Sequence, residues 1–147
     1  MPQPDTKQRI EQFNALDDWD ARFNYLIALG RNMPTLSQDQ RREKYLLQGC
    51  LSQAWLKTDI TPDNPPRMHL LAATDSQLVA GLIAIIRITY HRKTLRQVLE
   101  TDITRVLRQM NLQHHLSPTR RNSLHAIVAH IHSAARHALR ENGEQAA

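Results

Sequence analysis

The sequence predicts an α+β fold, a small antiparallel sheet packed against several helices. Three observations carry this. Strand-like segments are confined to the middle of the chain, on either side of the turn-rich breaker Thr61-Pro62-Asp63-Asn64-Pro65-Pro66. Apolar residues recur at helical spacing before and after that middle. Directly behind the second strand-like segment comes a densely apolar helix, so helices covering one face of a sheet are the economical arrangement. The chain has 147 residues, 41% hydrophobic and 22% charged, the length and composition of one globular domain, 1–147. A chain of this size buries about 68–70% of its unfolded surface and needs no metal or disulfide to fold.

Taken in order, the polar tails, about 1–5 and 141–147, are expected to fray. Asp17-Asp18 stand before Trp19, Phe23, Leu26, Ile27 and Gly30, an acidic start followed by helical spacing. That helix should stop near Met33, because Pro34 disfavours helical geometry in the residue before it. Residues 37–44 are polar and basic. From Leu46 to Thr58 the pattern partly alternates and reads as a strand, and 68–73 return as a second one, giving a hairpin across the breaker. Thr74-Asp75-Ser76 supply cap residues for a helix with Leu78, Val79, Leu82, Ile83, Ile85 and Ile86. A helix apolar on nearly all sides belongs in the centre, and its cationic end, 87–93, suits the negative pole of the helix dipole. Thr94 caps a short helix with Leu95, Val98 and Leu99 inward, and Thr101 or Asp102 starts another using Ile103, Val106, Leu107 and Met110. Ser117 at N-cap and Pro118 at the first helical position give the strongest start signal of the chain. The helix that follows runs to about Arg140, with Leu124, Ile127, Val128, Ile131, Ala135 and Ala138 on one face.

Composition excludes several functions. The one cysteine, Cys50, forms no intramolecular disulfide, no four-cysteine zinc site and no Cys-x-x-Cys redox pair. A lone thiol suits a reducing compartment. The start Met1-Pro2-Gln3-Pro4-Asp5-Thr6 lacks the apolar stretch of a signal peptide, and the longest apolar region, 78–88, is interrupted by Arg87 and too short to span a bilayer. A soluble cytoplasmic protein with no membrane partner is the expectation. The eight histidines include the adjacent pair His114-His115 and four on the last helix, His125, His130, His132 and His137. None forms the i, i+4 pair around a glutamate that a metalloprotease helix uses, so neither a metal nor another cofactor is expected.

Net charge is +5 and uneven. Residues 1–40 hold four Lys/Arg and six Asp/Glu, whereas residues 85–140 hold ten basic residues against Glu100 and Asp102. A basic half points to an acidic partner, protein or nucleic acid. The alternative function is therefore a small basic helical nucleic-acid-binding protein. Against it stand an aromatic content of 5%, the lack of a glycine-hinged helix-turn-helix and the scatter of the basic residues over several helices.

The stretch with chemistry is Gln48-Gly49-Cys50-Leu51-Ser52-Gln53-Ala54-Trp55. Glycine before the cysteine permits a tight turn, and reactive groups are often carried on loops braced by rigid elements. An unshifted cysteine with a pKa near 8.5 is only about 3% thiolate at pH 7, so a reactive Cys50 calls for a nearby cation. Arg120, His115, Lys44 or Arg41/Arg42 could serve, and spacing does not choose among them. The competing reading is a buried cysteine acting as a small hydrophobe.

Four segments in order then carry a family resemblance from Leu16 to about Ala134. They are Trp19 through Leu29-Gly30 to Met33-Pro34, the Gly49-Cys50 stretch through Trp55, Asp75-Ser76-Gln77-Leu78-Val79-Ala80-Gly81-Leu82, and His115-Leu116-Ser117-Pro118-Thr119-Arg120 with Leu124. Together they resemble the SufE family (SufE and CsdE), sulfur acceptors that partner a cysteine desulfurase in iron–sulfur cluster assembly. The resemblance implies a SufE/IscU-type α+β fold. It implies that Cys50 takes up sulfane sulfur as a persulfide, stimulates a SufS-like or CsdA-like desulfurase, and passes the sulfur to an iron–sulfur scaffold or other acceptor. The PLP chemistry would belong to the desulfurase, which makes this chain a sulfur-transfer partner and not a free-standing enzyme. Gly49, Ser52, Asp75, His115 and Arg120 take supporting roles, and a homodimer is left open. A sheltered Cys50, tucked against the central and C-terminal helices and swinging out on docking, is the expected resting arrangement. An IscU-type scaffold itself is excluded by thiol count, since a cluster usually takes four protein ligands, mostly thiolates. Three departures from the family pattern, Tyr45-Leu46, Ala54 for valine and Arg121-Asn122-Ser123, bear on pocket shape and partner choice more than on the thiol chemistry.

Overall fold

Pro4 opens the first helix, α1 (Pro4–Asn14), within the segment expected to fray. The computed structural model describes residues 4–47 and 53–141. Gln48, Gly49, Cys50, Leu51 and Ser52 lie outside the described residues. Helix α1 has a thin apolar stripe, Ile10 and Phe13, and owes its place to packing. Phe13 is fully buried and meets Trp19 and Tyr25 edge-on, at centroid distances of 6.0 and 6.1 Å.

Helix α2 (Trp19–Asn32) starts where Asp18 accepts a hydrogen bond from the Ala21 amide at 2.8 Å. It ends at Met33, which adopts the extended backbone demanded by the following proline. Two 3-10 turns, Gln38–Gln40 and Glu43–Tyr45, lead to the sheet. Strands β1 (Ala54–Ile60) and β2 (Met68–Thr74) pair antiparallel, from Ala54 opposite Thr74 to Ile60 opposite Met68. The first strand thus begins at Ala54 and not at Leu46. Leu46 instead makes an isolated antiparallel bridge to Trp55, so the partly alternating run from Leu46 is two pieces facing each other. Partial alternation cannot separate one long strand from a reversal.

Helix α3 (Gln77–Tyr90) is the centre of the core, with nine of its residues buried from Val79 to Tyr90. Ser76 caps it, accepting from the Val79 amide at 3.3 Å. Helices α2 and α3 touch backbone to backbone. A Cβ on Gly30 would come within 2.6 Å of the Ala80 carbonyl carbon, and one on Gly81 would fall on the Leu26 carbonyl. At the far end of α3, the Leu70 amide donates to His91 Nδ1 at 3.1 Å, and Arg87 Nε donates to the Leu70 carbonyl at 2.8 Å. Burial, with Arg87 beside it, pushes His91 down to about 4, so it packs against the sheet as a neutral imidazole.

Helices α4 (Leu95–Glu100) and α5 (Ile103–Gln109) start at Thr94 and Asp102, the first through a reciprocal Thr94–Gln97 capping box. Helix α6 (Pro118–Glu141) opens with Ser117 Oγ accepting from the Arg120 amide at 3.2 Å. Its Ile127 and Ile131 meet Leu56, Leu70, Ile83 and Ile86, which closes the layer between helices and sheet.

Candidate functional site around residues 47 and 53

Cys50, with Gly49 and Ser52, lies outside the described residues; the residues on either side of that segment do not. Both are pinned. The Leu47 amide donates to the Ala54 carbonyl at 2.8 Å, directly beside the Leu46–Trp55 bridge. The Gln53 carbonyl accepts twice from the corner between β2 and α3, from Thr74 Oγ1 at 2.7 Å and from the Asp75 amide at 3.3 Å. Thr74 Oγ1 also accepts from the Ser76 amide at 3.3 Å. The sequence reads Thr74-Asp75-Ser76 as cap residues, and only Ser76 does that work. Thr74 reaches across to Gln53, and the corner that starts α3 is fastened to the chain three residues after Cys50.

Asp75 is exposed at this corner. It lines a shallow cleft of about 190 Å³ with Gly30 and Arg31 of α2 and Gln77 and Ala80 of α3. Gly30 and Ala80, which line it from the two helices, lie in close backbone approach, so the glycine-dependent packing of α2 on α3 sets the width of the cleft between Arg31 and Asp75.

Of the candidate cations, two sit beside the pinned ends. The Arg41 guanidinium lies 5.7 Å over the Trp55 ring, with its Nε donating to the Leu36 carbonyl at 3.3 Å. Lys44 lies 5.0 Å over the Tyr45 ring, in the 3-10 turn that hands the chain to Leu46. Arg42 is exposed between them. His115 stands elsewhere. It is exposed and stacks on Trp19 at 3.5 Å with an interplanar angle of 27°, and Arg22 lies 4.9 Å over the same indole. Trp19 opens α2 and Arg31 lies in its last turn, about 18 Å further along the axis at 1.5 Å per residue. The structure therefore sets His115 and Asp75 at opposite ends of α2. Arg120 is exposed in the first turn of α6, and among the described residues no hydrogen bond or ion pair joins it to Leu47, Gln53 or Asp75.

Both tryptophans are half-buried. Trp19 packs among Phe13, Phe23 and His115, and Trp55 lies half-buried under Arg41. Among the described residues no group of three or more His, Cys, Asp or Glu side chains is arranged to hold a metal ion. His125, His130 and His137 are exposed on α6, while His132 turns inward with Nε2 3.1 Å from Tyr90 Oη, and burial lowers its pKa. No described helix is long and apolar enough to cross a membrane.

The family model described as "SufE: Fe-S metabolism associated domain" matches residues 7–135. An uncharacterized SufE-like protein of Rhizobium meliloti (strain 1021) is 33% identical over 129 residues, covering 87% of this chain and 92% of that protein. An uncharacterized SufE-like protein of Rhizobium etli is 34% identical over 131 residues, covering 88% of each. The solution structure of a hypothetical protein from Thermus thermophilus superposes with a TM-score of 0.75 at 20% identity, over 95% of this chain and 98% of that one, and shares the fold.

Proposed function

The chain belongs to the SufE family of Fe–S metabolism, and on that premise we propose that it is a sulfur acceptor whose reactive group is Cys50. The Cys50 thiolate attacks the outer sulfur of a persulfide carried by a PLP-dependent cysteine desulfurase. The S–S bond of the donor breaks, its cysteine leaves as thiolate, and the persulfide now resides on Cys50, with no net oxidation or reduction. An iron–sulfur scaffold or another thiol acceptor then takes the sulfur by the same exchange. Cys50 is the only cysteine of the chain, so no internal thiol can resolve the persulfide and release sulfide. The setting is a reducing, cytoplasmic one, where a lone thiol persists.

The observation that supports this most is the anchoring of both flanks of the Cys50 segment, Leu47 on β1 and Gln53 on the corner that bears Asp75. A thiol that must meet a second protein's persulfide needs a fixed frame. Arg41 and Lys44 beside that frame supply positive charge that favours the thiolate. Asp75 and Arg31 at the neighbouring cleft offer both signs of charge to a docking partner. Alanine formation by a cysteine desulfurase tests the proposal. The chain is expected to raise turnover, and Cys50→Ser, with an unchanged melting temperature, to leave it at the level of the desulfurase alone. Equal stimulation by Cys50→Ser would overturn the assignment.

A further inference from the structure

A second polar cavity, of about 270 Å³, opens where the C-terminal end of α3 meets α1, α4 and α5. It is separate from the Cys50 frame. Asp75 precedes α3 and Lys93 follows it, and the 14 residues of that helix span about 21 Å. Lys93 lines this cavity and is only 4% exposed. Its Nζ donates to Thr101 Oγ1 at 3.1 Å, and the Thr101 hydroxyl gives its own proton to the Gln97 carbonyl at 2.6 Å. Among the described residues no carboxylate forms an ion pair with Lys93.

An ammonium has three N–H donors and no acceptor, and a buried cation without a counter-ion is costly. Burial lowers the pKa of Lys93 accordingly. A residue held this way is matched by an anionic group entering from the cavity. The remaining charges narrow the class. Glu100, Asp102 and Arg105 also line the cavity, and all three are exposed, at its rim. The rim holds two carboxylates against one guanidinium, so a simple carboxylate would reach Lys93 past net negative charge, and a simple amine would be repelled by Lys93 at the bottom. A small molecule with an ammonium and a carboxylate a few bonds apart satisfies both levels. Thr89, buried and already donating its hydroxyl proton to the Ile85 carbonyl at 2.8 Å, leaves an oxygen on the cavity wall that can only accept.

We propose that this cavity binds a free α-amino acid, with its carboxylate on Lys93 Nζ and its ammonium toward Glu100 and Asp102. The proposal stands independently of the sulfur chemistry at Cys50. Titration of the isotope-labelled full chain with L-alanine, followed by amide NMR shifts, tests it, with acetate and ethylamine as the two half-ligands. Saturable shifts around Thr89, Lys93 and Thr101 are expected with L-alanine. Lys93→Met should weaken binding about tenfold or more, the loss of a charge-assisted contact, with a melting temperature equal to or above that of the parent chain. Glu100→Gln should weaken L-alanine binding and leave that of acetate unchanged or stronger. Absence of saturable shifts, binding that survives Lys93→Met, or acetate binding as tightly as L-alanine would each overturn the proposal.

Discussion

The α2–α3 contact and the frame around residues 47 and 53 meet at one corner of the molecule and hold it by opposite means. At the first, two helices lie backbone to backbone because Gly30 and Gly81 present no Cβ, and the fit is steric. At the second, a few hydrogen bonds from Leu47, Thr74 and Asp75 fasten the ends of a short segment. Leu29-Gly30 and Ala80-Gly81 belong to the same set of four family-like segments that holds Asp75 and Cys50, yet they do a different job. The glycines fix how far apart the elements stand, and the polar residues fix what is displayed between them.

Substitutions separate the two jobs. The largest effect is expected at Gly81. In Gly81→Val the new side chain would land on the Leu26 carbonyl, and no flexible side chain is there to move aside. Helices α2 and α3 must part, at a cost of about 3 kcal/mol, the upper range for overpacking. Urea denaturation reads this directly, and a loss well under 1 kcal/mol would show that the contact yields easily. A smaller effect is expected at the frame. Thr74→Val keeps the shape and removes the hydroxyl that joins Gln53 to Ser76. Stability should fall by about 1 kcal/mol, the typical net worth of a hydrogen bond, while the rate of sulfur uptake at Cys50 drops in single-turnover assays. Uptake at the parent rate would mean that the frame has no bearing on the thiol.

Much of this organisation is legible in the sequence because it is local. Ser76, Thr94, Asp102 and Ser117 each cap the helix that follows, since a cap is decided within four residues. The density of apolar residues from Leu78 onward marks α3 as central for the same reason. Helix α1 escapes detection because its stripe is two residues wide and its stability is tertiary, drawn from Trp19 and Tyr25 around Phe13. The start of β1 escapes because a bridge between Leu46 and Trp55 leaves no mark distinct from alternation. The same limit applies to the site. Cys50 and Asp75 stand out as motif residues, but the Thr74–Gln53 clamp, the placement of Arg41 over Trp55 and the stacking of His115 on Trp19 are long-range contacts that no spacing encodes. Spacing left Arg41, Arg42, Lys44, His115 and Arg120 equal as cations, and among the described residues the fold sets Arg41 and Lys44 beside the pinned flanks, with Arg42 exposed between them.

Intact-mass measurement of the chain after incubation with a cysteine desulfurase and L-cysteine bears most directly on the role of Cys50. A gain of about 32 Da, one sulfur atom, that maps to the Cys50 peptide and disappears on reduction is the predicted result. An unchanged mass under conditions in which the desulfurase is turning over would contradict it.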